Sequence, residues 1–355
     1  MVLPVPSPDP ALYESVLVAG FARFPERKTN YERYRTSVHR EILDFLPIKL
    51  DVENVSRCNY HCTMCQVSEW PKMGRAVDMS FDSFTQVIDA QPGLIEIKIH
   101  GMGEPLLAAP DFFRMIHFAR SRDLWVRSST NGSLLHLKDN YIKLIDSDIC
   151  EIQVSIDGAT APTYEAIRRG GTFKRIAANC EKLNTYATES GRNRTRMWVV
   201  VQRENFHELD LFPELAAQLG FTRLTLSLDL NHWGQDRWQI SNSQIDMQQS
   251  FDSARAFDLI EKGRLLGVEV TFWFVDKKYD TRNNTTLCPW PFERAYISSD
   301  MRVVPCCMIA NPTVSDIGDA RELPAVWNGN TMRAFRRAHL EGNIPDFCKS
   351  CYAAN

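Results

Sequence analysis

From residue 47 to about residue 230 the chain repeats one pattern: a short apolar run, then an amphipathic stretch with a polar start. The runs are "IKLDVENV", "LIEIKIHG", "LWVRSSTNG", "CEIQVSIDG", "TRMWVVVQ" and "FTRLTLSLDL". Between them stand helical patterns such as "SFDSFTQVIDAQ", "PDFFRMIHFARSR" and "FHELDLFPELAAQLG". Strands alternating with helices predict a parallel sheet with helices outside it. Six such units fall short of a closed eight-fold barrel. The expected fold is therefore α/β, a partial and open (β/α)6 barrel. In such folds chemistry gathers at the C-terminal ends of the strands.

The polar features of this sequence fall at those ends. "SRCNYHCTMCQ" follows the first strand and sets Cys58, Cys62 and Cys65 in C-x3-C-x2-C spacing. "HGMGEPLL" follows the second, "SSTNG" ends the third and "VSIDG" the fourth. Ten cysteines in 355 residues raise the question of disulfides. The N-terminus lacks a charged start and is broken by prolines, so it is a poor signal peptide. No apolar run approaches the ~20 residues needed to span a bilayer. These features lead to an expectation of a cytoplasmic protein that keeps its thiols reduced. Net charge is −3 and the basic residues are dispersed, so neither nucleic acid nor membrane is expected as a partner.

Clustered thiols then favour metal or redox work. Three thiolates leave one position open on a metal site. An iron–sulfur cluster held by three cysteines has one iron free to bind something else, while a structural zinc site is the competing reading. A second group lies near the C-terminus, "LCPWPFERAYISSDMRVVPCCMIA" and "NIPDFCKSCY". Cys288, Cys306, Cys348 and Cys351 suit a fully ligated cluster, with tetrahedral zinc competitive on spacing alone. "YISSDMRVVPC" alternates like a hairpin turning at "SSD". Cys150 and Cys180 read as ordinary buried cysteines, and His61 as a loop residue.

C-x3-C-x2-C after the first strand, with the later motifs in order, resembles the radical S-adenosylmethionine superfamily. The resemblance covers roughly residues 47–230 and the C-terminal segment. It implies that Cys58, Cys62 and Cys65 hold a [4Fe–4S] cluster whose fourth iron takes S-adenosylmethionine. Reductive cleavage would then give a 5′-deoxyadenosyl radical that abstracts hydrogen. Gly103 and Glu104 match the segment that holds the methionyl ammonium. Met102 replaces its first glycine, so that contact is left to backbone. Thr130 and Asn131 match the ribose contacts. Ser155 and Arg168 match contacts to the methionyl carboxylate, and Gln202 is a further candidate. Met64 stands where the family often has an aromatic residue.

The C-terminal segment resembles the twitch and SPASM auxiliary-cluster domains, and its cysteines suffice for one further [4Fe–4S] cluster. Cys307 is left over as a spectator, a substitute ligand or a hydrogen-atom donor. The expected division is an N-terminal extension (1–46), the barrel (47–230), a connection (231–285) and the auxiliary domain (286–355). The expected function is oxidation or epimerisation of a small polar molecule, of sugar, aminocyclitol or nucleoside type, with electrons from a flavodoxin or ferredoxin-type donor. The alternative is a maturase acting on a ribosomally made peptide, set second because only about 46 residues precede the barrel, too few for a peptide-recognition domain. Asp229, His232, Asp236 and Arg237 are candidate substrate contacts.

Overall fold

A computed structural model describes residues 3–70, 77–274 and 278–353. Two helices, α1 (Pro10–Arg23) and α2 (Pro25–Thr36), precede β1 (Lys49–Val52). Then come α3 (Phe81–Asp89), β2 (Glu96–Ile99), α4 (Ala109–Arg120), β3 (Trp125–Thr130), α5 (Asn140–Asp146) and β4 (Glu151–Ser155). Two helices, α6 (Ala161–Ile167) and α7 (Phe173–Glu189), lead to β5 (Thr195–Val200), α8 (Leu211–Gln218) and β6 (Arg223–Ser227). Beyond them lie α9 (Asp236–Ser243), α10 (Ser253–Leu265), β7 (Glu269–Trp273), α11 (Trp290–Glu293) and β8 (Arg294–Ile297). The chain closes with β9 (Arg302–Val304), β10 (Gly318–Asp319), α12 (Leu323–Trp327) and α13 (Asn330–Leu340).

The described strands form one sheet in the order β10-β9-β8-β1-β2-β3-β4-β5-β6-β7. Neighbours from β1 to β7 are parallel, β8 joins β1 in parallel, and β9 and β10 are antiparallel. This is the mixed α/β, partly closed barrel that the strand–helix alternation implies. The βα rhythm does not stop at β6: α10 and β7 repeat it and add a further parallel strand. The 298–301 turn of the expected hairpin is present, with Met301 N donating to Ser298 O at 2.9 Å. Its first strand is also part of the barrel sheet, through β1.

Alternation along the strands sorts the two faces. Leu50, Val52, Ile97, Ile99, Leu224 and Leu226 are fully buried against the helix layer. Their neighbours Asp51, Lys98, Arg127, Gln153, Arg196 and Thr225 turn the other way, into the barrel lumen. The lumen is thus polar and ion-paired, unlike the apolar fill of a closed barrel.

The N-terminal segment closes the lower end of this sheet. Phe272 N in β7 donates to Pro4 O at 2.8 Å, and the buried Arg196 reaches Ser7 O at 2.8 Å. Tyr13 of α1 meets Trp125 edge-on, with ring centroids 5.0 Å apart. Arg27 of α2 donates to Arg122 O at 2.8 Å and to Asp123 O at 3.1 Å. Helix α2 ends at Thr36. Beyond it Leu43 and Phe45 bury themselves, Phe45 O accepts from Trp327 Nε1 at 2.8 Å, and Glu41 pairs with Arg333 and Arg337 of α13. No helix of the described residues is long and apolar enough to cross a membrane.

Candidate functional site

The loop after β1 carries Cys58, Cys62 and Cys65 and is held by backbone from both sides. Gly103 N donates to Val55 O at 3.2 Å and Glu104 N to Arg57 O at 3.0 Å. Across the loop, His61 N donates to Arg169 O at 2.8 Å and Thr63 N to Ile167 O at 3.1 Å. A Cβ at position 103 would stand 2.3 Å from Arg57 O and 2.4 Å from Val55 O, so only glycine allows this approach. The three thiols lie close enough to bear on one another electrostatically, and Arg168 bears on all three. Asn131 Nδ2 lies 3.9 Å from Cys58 Sγ and 3.0 Å from Asn59 Oδ1. The His61 side chain is exposed.

Burial dominates the titration of these thiols and pushes Cys58 and Cys65 up to about 12. They are therefore protonated near neutral pH, although a cluster takes thiolates. Cluster loading must release protons. We expect the initial rate of iron incorporation into apoprotein to rise several-fold from about pH 6.5 to about pH 8.5. Following ferrous iron uptake anaerobically across that range checks this, and a flat profile contradicts it.

Glu104, in the turn after β2, is 2% exposed. Its carboxylate accepts from Thr130 Oγ1 at 2.6 Å, Asn131 N at 2.7 Å and Leu106 N at 3.2 Å. Thr130 and Asn131, read from the sequence as separate ribose contacts, are thus committed to Glu104. Burial raises the Glu104 carboxyl against those donors. Met102 gives its N–H to Glu53 Oε1 at 3.1 Å, and its sulfur lies 3.6 Å from Gln66 Nε2.

Ser155 ends β4, partly exposed. Arg168 is 7% exposed and meets the fully buried Asp157 at 2.7 Å. Burial opposes the Arg168 charge, and Asp157, Cys62, Tyr164 and Tyr60 together more than restore it. Among the described residues, Arg168 Nε and both amide atoms of the buried Gln202, at the end of β5, have no hydrogen-bond partner. Orphaned buried polar atoms at the C-terminal strand ends are what a polar cofactor would satisfy. The cradle fits the expected cofactor.

Two residues here escaped the sequence reading. Asp157 stands two positions after Ser155 in "VSIDG", and that strand-end position was its signal. Glu53 continues the inward face of β1, is fully buried, and accepts from Met102 N and Ser299 N (3.0 Å). It ties the turn after β2 to the C-terminal segment. Nothing in the sequence near it announces this.

The second cysteine group assembles from three places. Cys306 feels Cys348, Cys288 and Cys351 electrostatically, and Cys348 feels Cys288 and Cys351. Cys288 N donates to Tyr352 Oη at 2.9 Å, and Tyr279 N to Cys351 O at 3.0 Å. These bonds fix the C-terminal loop beside the segment before α11. Burial pushes Cys288 up to about 12. Among the described residues no three His, Cys, Asp or Glu side chains converge as one metal ion requires. A cubane, in which each thiolate takes a different iron, asks for wider spacing.

Cys307 packs beside Cys306 on one small apolar cluster and also lies within electrostatic reach of Asp51, Lys98, Arg294 and Arg127. Cys150 packs with Val16 and Trp125, and Cys180 is buried in α7. Of the residues offered for substrate, His232 meets Ser350 at 2.6 Å and Arg237 pairs with Glu69 at 2.5 Å. Asp229 lies just after β6, and Asp236 begins α9. The connection latches the cluster loop to the C-terminus; Gln235 Nε2 also donates to Gln66 Oε1 at 2.6 Å.

Residues 55–216, which hold the three cysteines and the strand ends just described, match the sequence model of the radical SAM superfamily. The chain carries a radical SAM domain. Residues 288–352 of this radical SAM protein match an iron–sulfur cluster-binding domain of the SPASM type. S-adenosylmethionine with a [4Fe–4S] cluster, and auxiliary iron–sulfur binding, follow from the two domains.

Among curated relatives, the mycofactocin maturase MftC of Mycolicibacterium smegmatis is 30% identical over 203 residues, 57% of this chain and 50% of that protein. The chain thus spans half the length of this relative. The PqqA peptide cyclase of Gluconobacter oxydans is 23% identical over 86% of this chain and 82% of its own. Among solved structures, Streptococcus suis SuiB bound to precursor peptide SuiA superposes with a TM-score of 0.62 at 14% identity, covering 88% of this chain and 70% of that one.

These likenesses overturn the small polar substrate, and the small-molecule partner, expected from the sequence. Oxidoreductase or epimerase chemistry on a sugar, aminocyclitol or nucleoside has no support among them. The expectation rested on chain length, a single auxiliary cluster and the short segment before the barrel, none of which measures what the barrel mouth accepts.

Proposed function

We propose that this radical SAM protein is a peptide maturase, modifying a residue of a ribosomally made precursor peptide by hydrogen abstraction. The observation that carries this reading is the likeness to a PqqA peptide cyclase over 86% of the chain. Cys58, Cys62 and Cys65 hold the first cluster. Glu104 receives the methionyl ammonium while Thr130 and Asn131 orient it. Ser155, Arg168 and Gln202 grip the remaining polar groups, and the backbone at Met102 and Gly103 forms the wall behind them. Cys288, Cys306, Cys348 and Cys351 hold an auxiliary cluster. With S-adenosylmethionine bound, the first cluster supplies a carbon radical strong enough to take hydrogen from an unactivated C–H. The protein's part is to orient the peptide and exclude water, which the N-terminal closure of the lower barrel end assists.

The test is anaerobic incubation of reconstituted protein with S-adenosylmethionine, dithionite and precursor peptides encoded beside its gene. A mass change in one peptide, with matching 5′-deoxyadenosine, is expected. Deoxyadenosine formed while every peptide stays unmodified, and while a small polyol is oxidised instead, would sink the reading. Cys348→Ser is expected to lower iron by about four atoms per chain, the content of one cubane. It should keep 5′-deoxyadenosine formation within about tenfold of the parent, because no described bond links Cys348 to the first cluster loop. Iron analysis beside product quantification checks this.

A further inference from the structure

The lumen wall built from β8, β1, β2 and β3 holds a cation whose ammonium pairs with none of the wall's carboxylates. Its carboxylates are already paired. Asp51 takes Arg294 at 3.2 Å, and Glu96 takes Arg127 at 3.0 Å with Arg294 at 3.9 Å. Lys49, lower on β1, pairs with Glu293 at 3.3 Å. Lys98 remains, and among the described residues its ammonium makes no hydrogen bond or ion pair. Its register sets it between Asp51 and Arg127.

The flanking Ile97 and Ile99 are fully buried beneath the helices, so Lys98 points to the lumen, and it is only partly buried there. Cys307 lies within electrostatic reach of it. His100, the next lumen-facing residue of this chain segment, is held by Ser129 Oγ at 2.6 Å. Lys98 lies deeper than Glu104, below the level of the cofactor cradle. A cation partly withdrawn from water, with no hydrogen bond or ion pair of its own, is costly unless an anion arrives. A carboxylate there gains a charge-assisted hydrogen bond and relieves that cost.

The geometry points to Lys98 as the anchor of a carboxylate carried by the substrate, seated in the lumen beside Cys307. The identity of the substrate as a peptide rests on the maturase reading above. The carboxylate of a peptide comes from an Asp or Glu side chain or from its C-terminus, and both share this chemistry. Lys98 is thus a specificity-determining residue. It admits a peptide by a charge placed at a fixed depth below the cofactor.

The test reads Lys98 directly in the cluster-loaded full chain with saturating S-adenosylmethionine. Acylation of Lys98 by an N-hydroxysuccinimide acetate is followed by peptide mapping. Three probes compete: N-acetylglutamate α-amide for the side-chain source, N-acetyl-alanyl-alanine for the C-terminal source, and N-acetylglutamine α-amide as the neutral control. Acylation is expected to slow about fivefold or more with one or both carboxylate probes, and the one that protects names the source. No protection by either, or equal protection by the neutral amide, overturns the proposal.

Calorimetry adds a second reading. Lys98→Gln should lose about tenfold or more in affinity for the protecting probe, and Lys98→Arg should keep most of it. Because acylation reads the unaltered chain, a variant that misfolds leaves that result standing. A precursor peptide left unmodified while carboxylates still protect Lys98 would sink the maturase reading alone. A modified peptide with an unprotected Lys98 would sink the anion site alone.

Discussion

Alanine at Cys58, Cys62 or Cys65 is expected to remove 5′-deoxyadenosine formation, by at least about a hundredfold. Loss of a partner that only orients a metal ligand already costs 10–100-fold, and a direct ligand does more. The fold should survive. The loop is held by backbone hydrogen bonds from Gly103, Glu104, His61 and Thr63, none of which uses a cysteine side chain. Far-UV circular dichroism close to the parent's, with iron reduced and deoxyadenosine absent, is the expected combination. A triple variant that still makes deoxyadenosine at the parent's rate would refute the assignment of this loop.

The second large effect concerns the ion pair beneath the cofactor cradle. Arg168→Met leaves Asp157 fully buried with its cation gone. Breaking a buried pair from one side costs about 3–5 kcal/mol, because the remaining charge has no solvent. Asp157 keeps one donor, Val200 N at 2.8 Å, which softens the loss without cancelling it. The double variant Arg168→Met/Asp157→Asn is expected to recover most of the stability, and the cycle isolates the pair. It should not recover S-adenosylmethionine affinity, since Arg168 also supplies the positive field felt by Glu104 and the three thiols. Anaerobic denaturant titration together with S-adenosylmethionine binding checks both halves. A single variant within about 1 kcal/mol of the parent would mean that the pair is not sealed from water.

Much of the arrangement is legible in the amino-acid sequence. Alternating apolar positions and polar helix starts announce the strand–helix units locally, because residues two apart share a strand face. The strand ends carry the cysteine loop, Glu104, Ser155 and Gln202 for the same reason: parallel topology sends every C-terminal end to one side. Substrate type is not legible there. The cofactor cradle is built from short motifs, whereas the lumen face is assembled from residues of many strands far apart in the chain. Nor is the fate of residues 41–45 legible locally, because Glu41, Leu43 and Phe45 are claimed by α13, Asn328 and Trp327 far along the chain.

The sequence by itself determined the alternation, the parallel sheet and the two sets of thiols, since each is written in residues close together in the chain. Only the tertiary structure decided the rest. It joined β8 to β1, made Asp157 the partner of Arg168, committed Thr130 and Asn131 to Glu104, and left Lys98 without an ion pair among the described residues of its wall. Pairing between side chains tens to hundreds of residues apart depends on which inward faces the barrel brings opposite one another, and no local pattern encodes that.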